Sequence, residues 1–150
     1  MRTLSNSTDL AQIAARLRAL RPTDRAQWGH MYSSEMVCHI RGAFRMAMGE
    51  LAPGEVRTLL PYGLMKLLAL RMPWSWPKNY GTVPALKRGT AAMLVHNFDA
   101  ALTSALAELN RFCDRAQYRG DHPYLGSMST AEWMRWGYLH ADHHLRQFER

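Results

Sequence analysis

The residues from Trp133 to Phe148 constrain the fold most, because their pattern fits only one kind of element. Wound as a helix at about 100° per residue from Trp133, the segment gathers Trp136, Gly137, His140, Ala141, His144, Gln147 and Phe148 on one side. Arg135, Asp142 and Arg146 point the other way. A face this apolar must pack against other elements, and it carries two imidazoles one turn apart. An i, i+4 histidine pair lets two ring nitrogens reach one transition-metal ion, for which imidazole is a favoured ligand.

The preceding segments repeat the same periodicity. Ser7-Thr8-Asp9 starts a helix in which Leu10, Ile13, Leu17 and Leu20 recur at helical spacing until Pro22 ends it. Ser33 or Ser34 caps a second helix, whose apolar arc is Met36, Val37, Ile40, Ala43, Phe44 and Ala47. His39 lies about 40° from Ala43, on the edge of that arc. After a Pro53-Gly54 turn, Leu59, Leu60, Leu64, Met65, Leu67, Leu68 and Leu70 predict a short apolar helix over about residues 59 to 71. The loop that follows holds Trp74 and Trp76 between prolines, able to wall a pocket or to seal the end of the core. Thr90 is placed to cap a long helix through Leu94, Val95, Phe98, Ala101, Leu102, Ala105, Leu109 and Phe112, with His96 on its solvent side. Ser129 and Glu132 form a capping box for the last helix. No segment reads as a strand. The expected fold is all-α: a single domain over residues 1 to 150, built as a four-helix bundle with a short additional helix between helices two and three.

Composition narrows the partners. The formal charge is +7, but 11 of the 19 basic residues fall late in predicted helices, where cations complement the helix dipole. They are Arg16, Arg18, Arg21, Arg41, Arg45, Lys66, Arg71, Arg111, Arg115, Arg146 and Arg150. No nucleic-acid motif accompanies them, so a nucleic-acid partner is not expected. No stretch approaches the roughly 20 apolar residues of a membrane span, and the first residues lack a signal-peptide core. Cys38 and Cys113 stand far apart in predicted helices and read as reduced thiols, which makes a cytoplasmic location the expectation. The apolar helix near residues 59 to 71, and Met134, Tyr138 and Leu145 away from the histidine face of the last helix, offer surface for a homodimer.

In a bundle, side chains from facing helices converge, so His39 meets His140 and His144 if the second and last helices are neighbours. His143 lies about 60° from His140 on the side away from His144, and competes less well. Spacing alone leaves two readings open: a metal site, or core histidines satisfied by hydrogen bonds.

A resemblance adds to this. His122-Pro123-Tyr124-Leu125-Gly126-Ser127-Met128-Ser129-Thr130-Ala131-Glu132-Trp133, followed by His140-Ala141-Asp142-His143-His144-Leu145-Arg146-Gln147-Phe148, resembles the C-terminal signature of a branch of the DinB-like family. Trp28-Gly29-His30-Met31 before Met36-Val37-Cys38-His39 is similar to its second-helix motif. The likeness covers most of the chain and is weakest over residues 50 to 80. It implies a four-helix bundle, usually dimeric, with a divalent metal on three histidines that map onto His39, His140 and His144. Related members include thiol-cofactor-dependent transferases and isomerases, and kinship of fold does not fix the reaction.

Two functions follow as expectations. In the first the chain is a metal-dependent hydrolase or thiol-dependent transferase acting on a small molecule. Zinc, nickel and iron suit three imidazoles equally, and each leaves coordination positions open for activating a water or a thiol. Glu35, Asp121 and His122 are the candidates for a general base, each with an ordinary alternative as a helix-start charge or turn residue. In the second it is a non-catalytic helical dimer whose metal site is structural or vacant.

Overall fold

The computed structural model describes residues 1–58, 60–73, 75–95, 97–114 and 121–150. Every regular element among them is helical: α1 (Ser7–Arg18), α2 (Ser33–Ala47), α3 (Tyr62–Arg71), α4 (Phe98–Asp114) and α5 (Thr130–Gln147), with 3-10 turns at Pro84–Leu86 and Ala91–Met93. The expectations for Leu59, Trp74, His96, Arg115, Arg119 and Gly120 lie outside the described residues.

Local chemistry sets the helix ends. Asn6 caps α1, its side chain accepting from the amides of Thr8 and Asp9 at 2.9 and 3.1 Å. Neither Ser33 nor Ser34 caps α2. Ser33 lies inside the helix and donates its hydroxyl to the Pro22 carbonyl at 3.0 Å, while the Glu35 carboxylate accepts from the Tyr32 amide at 2.9 Å. The capping box of α5 forms as expected between Ser129 and Glu132.

One expected helix is shorter than its pattern. Thr90 does not begin α4, because its hydroxyl donates to the carbonyls of Ala85 and Lys87 and so closes a turn behind it. Only the 3-10 turn Ala91–Met93 follows before Leu94 is left exposed. α4 starts at Phe98, where the Asn97 side chain accepts from the Ala100 amide at 2.9 Å. An asparagine beside the helix start outcompetes the apolar spacing of Leu94 and Val95.

α2 is buried along most of its length, from Met36 through Ala47, because it packs against both α4 and α5. α1 also meets α4 and α5, and α3 lies on α5. This arrangement sets His39 of α2 opposite the histidine face of α5. Close approach is required where α5 crosses the core: a Cβ on Gly137 would sit 2.7 Å from Phe112 and 2.8 Å from Leu4.

The two apolar surfaces expected to remain free differ in fate. Met134, Tyr138 and Leu145 are buried, since α1 and the N-terminal residues cover the side of α5 that α2 does not. The Leu4 amide donates to the Met134 carbonyl at 3.2 Å, and Arg2 donates to the Tyr138 hydroxyl at 2.9 Å. A helical wheel gives the directions of side chains but not the number of neighbours. α3 instead buries only Leu70 and leaves Tyr62, Leu64 and Leu67 exposed. Both cysteines are free, and no helix among the described residues is long and apolar enough to cross a membrane.

Candidate metal centre

His39, His140 and His144 converge. Each offers one ring nitrogen, and the three atoms lie within 4.8 Å of one another. Nε2 of His39 stands 3.3 Å from Nε2 of His140. Two nitrogens bound at about 2.0–2.1 Å to one tetrahedral ion would be roughly 3.3 Å apart, so this pair already has the separation of two ligands. The third ring is close to both, with centroids 4.5 Å from His39 and 4.8 Å from His140.

The surroundings favour neutral rings. Burial pushes His39 down to about 4, partly offset by the nearby Leu86 carbonyl, and His143 adds to the depression. Burial also holds His140 and His144 well below the usual imidazole range, with the neighbouring histidines depressing each further. His144 keeps some accessible surface as a residue, but its ring is enclosed. Neutral imidazole is the form that binds metal.

Hydrogen bonding around the three is unequal. His144 Nδ1 contacts Gln147 Oε1 at 3.1 Å, an i, i+3 pair that leaves Nε2 for the centre. Gln147 is fixed in turn by donating from Nε2 to the Trp28 carbonyl at 2.6 Å. Gly29 makes room for that contact: it has φ of 76°, and a Cβ there would come within 2.8 Å of Gln147 Nε2. Nδ1 of His39 and Nδ1 of His140 have no hydrogen-bond partner among the described residues. The ring of His140 is instead stacked on Trp136, with centroids 5.0 Å apart and planes inclined by 16°.

The converging Nε2 atoms of His39 and His140 have only each other within 3.3 Å, so between two neutral rings a single N–H can serve them both. A divalent cation among them turns the converging nitrogens into ligands. The donor set therefore fits a metal that favours imidazole.

The centre opens into a cavity of about 700 Å³. All six described histidines line it: His30, His39, His122, His140, His143 and His144. His143 is buried at the cavity wall beside Trp28 and Trp76, with centroids 5.9 and 6.0 Å away, and stands outside the converging triad. Trp76 belongs to the same wall, its indole N–H held by the Ala69 carbonyl at 2.8 Å and its ring 6.3 Å from His140. Of the two roles open to that loop, Trp76 takes the pocket-lining one.

The base candidates separate clearly. Glu35 is outside the cavity, committed to the Tyr32 amide and to Arg88 at 2.6 Å. Asp121 is exposed and does not line it. His122 does line it, and burial pushes it down to about 3.

Residues 2–150 match a family model described as "Protein of unknown function (DUF1569)". The chain belongs to that family. No curated protein and no solved structure matches it. In this DUF1569 chain, sequence reasoning missed the parts that come from outside the helices: the Leu86 carbonyl near His39 and the turn at Trp28-Gly29 that orients Gln147. The Gln147 spacing three residues after His144 was the signal available for the second of these.

Proposed function

We propose that the chain is a DinB-like four-helix bundle of α1, α2, α4 and α5 that holds one divalent ion on His39, His140 and His144. It acts as a metal-dependent hydrolase or thiol-dependent transferase on a small molecule. The observation that carries this reading is the opening of a three-histidine cluster into a large cavity. Structural zinc sites are closed by four protein ligands, whereas catalytic ones keep three and an open position. Bound there, a divalent ion supplies Lewis acidity. The chain's own residues supply the neutral imidazoles, the largely apolar wall of the cavity, and the Gln147 contact that holds the His144 ring.

The test is elemental analysis of protein purified without a histidine tag. The expected result is about one equivalent of zinc, nickel or iron that withstands dialysis. Purified protein that holds no metal and takes up none from solutions of these ions would overturn the reading.

The same reading makes the chain a homodimer. The support is the outer face of α3, where Tyr62 and Leu67 are 50% and 51% exposed and Leu64 is 43% exposed. Sedimentation at tens of micromolar should give the mass of two chains, and Leu64→Glu with Leu67→Glu should give one. A monomeric wild-type chain would remove the dimer from the proposal.

A further inference from the structure

His122 is placed unlike the other histidines. It lies in the turn before α5, where its backbone closes on Gly126 with hydrogen bonds of 2.9 and 2.8 Å. Its ring is packed against Trp133 and Trp136, at centroid distances of 5.5 and 5.2 Å. Trp136 carries His140 on its ring as well, so His122 stands one aromatic ring from the triad. The residue is 6% exposed, and it lines the cavity.

Its tautomer is fixed by the backbone. The Tyr124 amide donates to His122 Nδ1 at 3.1 Å, so Nδ1 is an acceptor and the proton of the neutral ring sits on Nε2. That N–H has no partner among the described residues, and it is not one of the fully enclosed unpartnered atoms, so it keeps accessible surface in a residue that lines the cavity. A ligand that fills the cavity beside this donor must bring an acceptor, because an apolar group in that place would leave the N–H unpaired.

The rest of the lining says what kind of ligand fits. About 700 Å³ is within the range of roughly 300–1,000 Å³ that holds small molecules. Aliphatic and aromatic side chains make up most of the described wall, and no aspartate or glutamate lines it, so a cationic group would have no counter-charge. Arg88 lines it but is already paired with Glu35. We propose that the cavity binds a small, largely apolar molecule bearing a carboxylate or carbonyl, and that His122 Nε2–H anchors the acceptor oxygen of that group beside the histidine triad. The proposal shares with the functional reading only the cavity as ligand site, and it requires no metal.

Phenylacetate is the probe, with ethylbenzene as the same body without an acceptor and 2-phenylethylammonium as its cationic counterpart. Calorimetry on the full chain, both zinc-loaded and chelated, should show phenylacetate binding and 2-phenylethylammonium failing to bind. His122→Phe should weaken phenylacetate about tenfold or more in the chelated protein, as expected for loss of a hydrogen bond to a charged group. Ethylbenzene affinity should be equal in the two proteins. His122→Gln, which keeps a donor near the Nε2 position, should recover most of the loss. In the wild-type chain, the His122 Nε2–H proton resonance should shift on saturation with phenylacetate, a readout that needs no variant to fold. Absence of phenylacetate binding, equal affinity in wild type and a folded His122→Phe, or an unmoved Nε2–H resonance would each overturn the proposal. Phenylacetate binding that depends on His122 in protein unable to hold metal would sink the metal reading alone; metal uptake without phenylacetate binding would sink this one alone.

Discussion

Alanine at His140 is expected to reduce bound metal from about one equivalent to none, with the helical content of the protein retained. His140 approaches both of the others: its Nε2 faces His39 at 3.3 Å, and its ring lies 4.8 Å from His144. Removing one of the three proposed ligands leaves too few for tight binding, so His39→Ala and His144→Ala should behave alike. His143→Ala should weaken metal modestly at most, since its ring stands outside the triad and touches it through His144, 5.2 Å away. His30→Ala, at the exposed rim of the cavity, should leave the metal in place. Gln147→Ala should fall between, with affinity lowered about 10- to 100-fold, because it removes the partner of His144 Nδ1 and not a ligand. Metal content and affinity measured on the six folded variants decide the assignment. Metal retained in His140→Ala, or lost in His30→Ala, would put the ion elsewhere.

Acid should destabilise the metal-free protein below about pH 6.5, where free imidazole takes up its proton. The unfolded chain takes up protons on its histidines near pH 6.5, while the folded chain keeps His39 neutral down to about 4 and His122 down to about 3. Between those limits the unfolded state binds more protons, so stability falls as the pH falls; above 6.5 neither state is protonated and the full stability is present. At pH 5 this costs about 2 kcal/mol for His39 alone, with His140 and His144 acting in the same direction. That is a large part of a typical domain stability of about 5–15 kcal/mol. The melting temperature of chelated protein should therefore drop by about 10 °C or more from pH 7.5 to pH 5. A flat profile over that window would mean that the histidines are not held neutral. For the folded protein, proton competition for the His39 ligand position sets in near pH 4 and not near 6.5, so acid release of metal should track unfolding.

The helical character of the chain was legible in its sequence because apolar spacing and caps are local properties. The histidine face of α5, the Ser129 and Glu132 capping box and the end of α1 before Pro22 all depend on residues within a few turns of one another. The start of α4 was misplaced for the same reason. Thr90 has the chemistry of a cap, but its hydroxyl is drawn to carbonyls from the turn at Pro84–Leu86, and nothing in the periodicity of Leu94 and Val95 signals that competition.

By itself the sequence determined which histidines share a helical face and which do not, since a repeat of 3.6 residues fixes their directions. Tertiary structure decided the rest. Contact of α2 with α5 brought His39 to within 3.3 Å of His140, and a turn 119 residues away fixed Gln147 by accepting its amide at the Trp28 carbonyl. The covering of α5 by α1 and Leu4 took Met134, Tyr138 and Leu145 out of any interface and left α3 with the exposed apolar face. Directions around a helix follow from the covalent chain, whereas neighbours depend on how several buried faces are satisfied together, and only the packed molecule settles that.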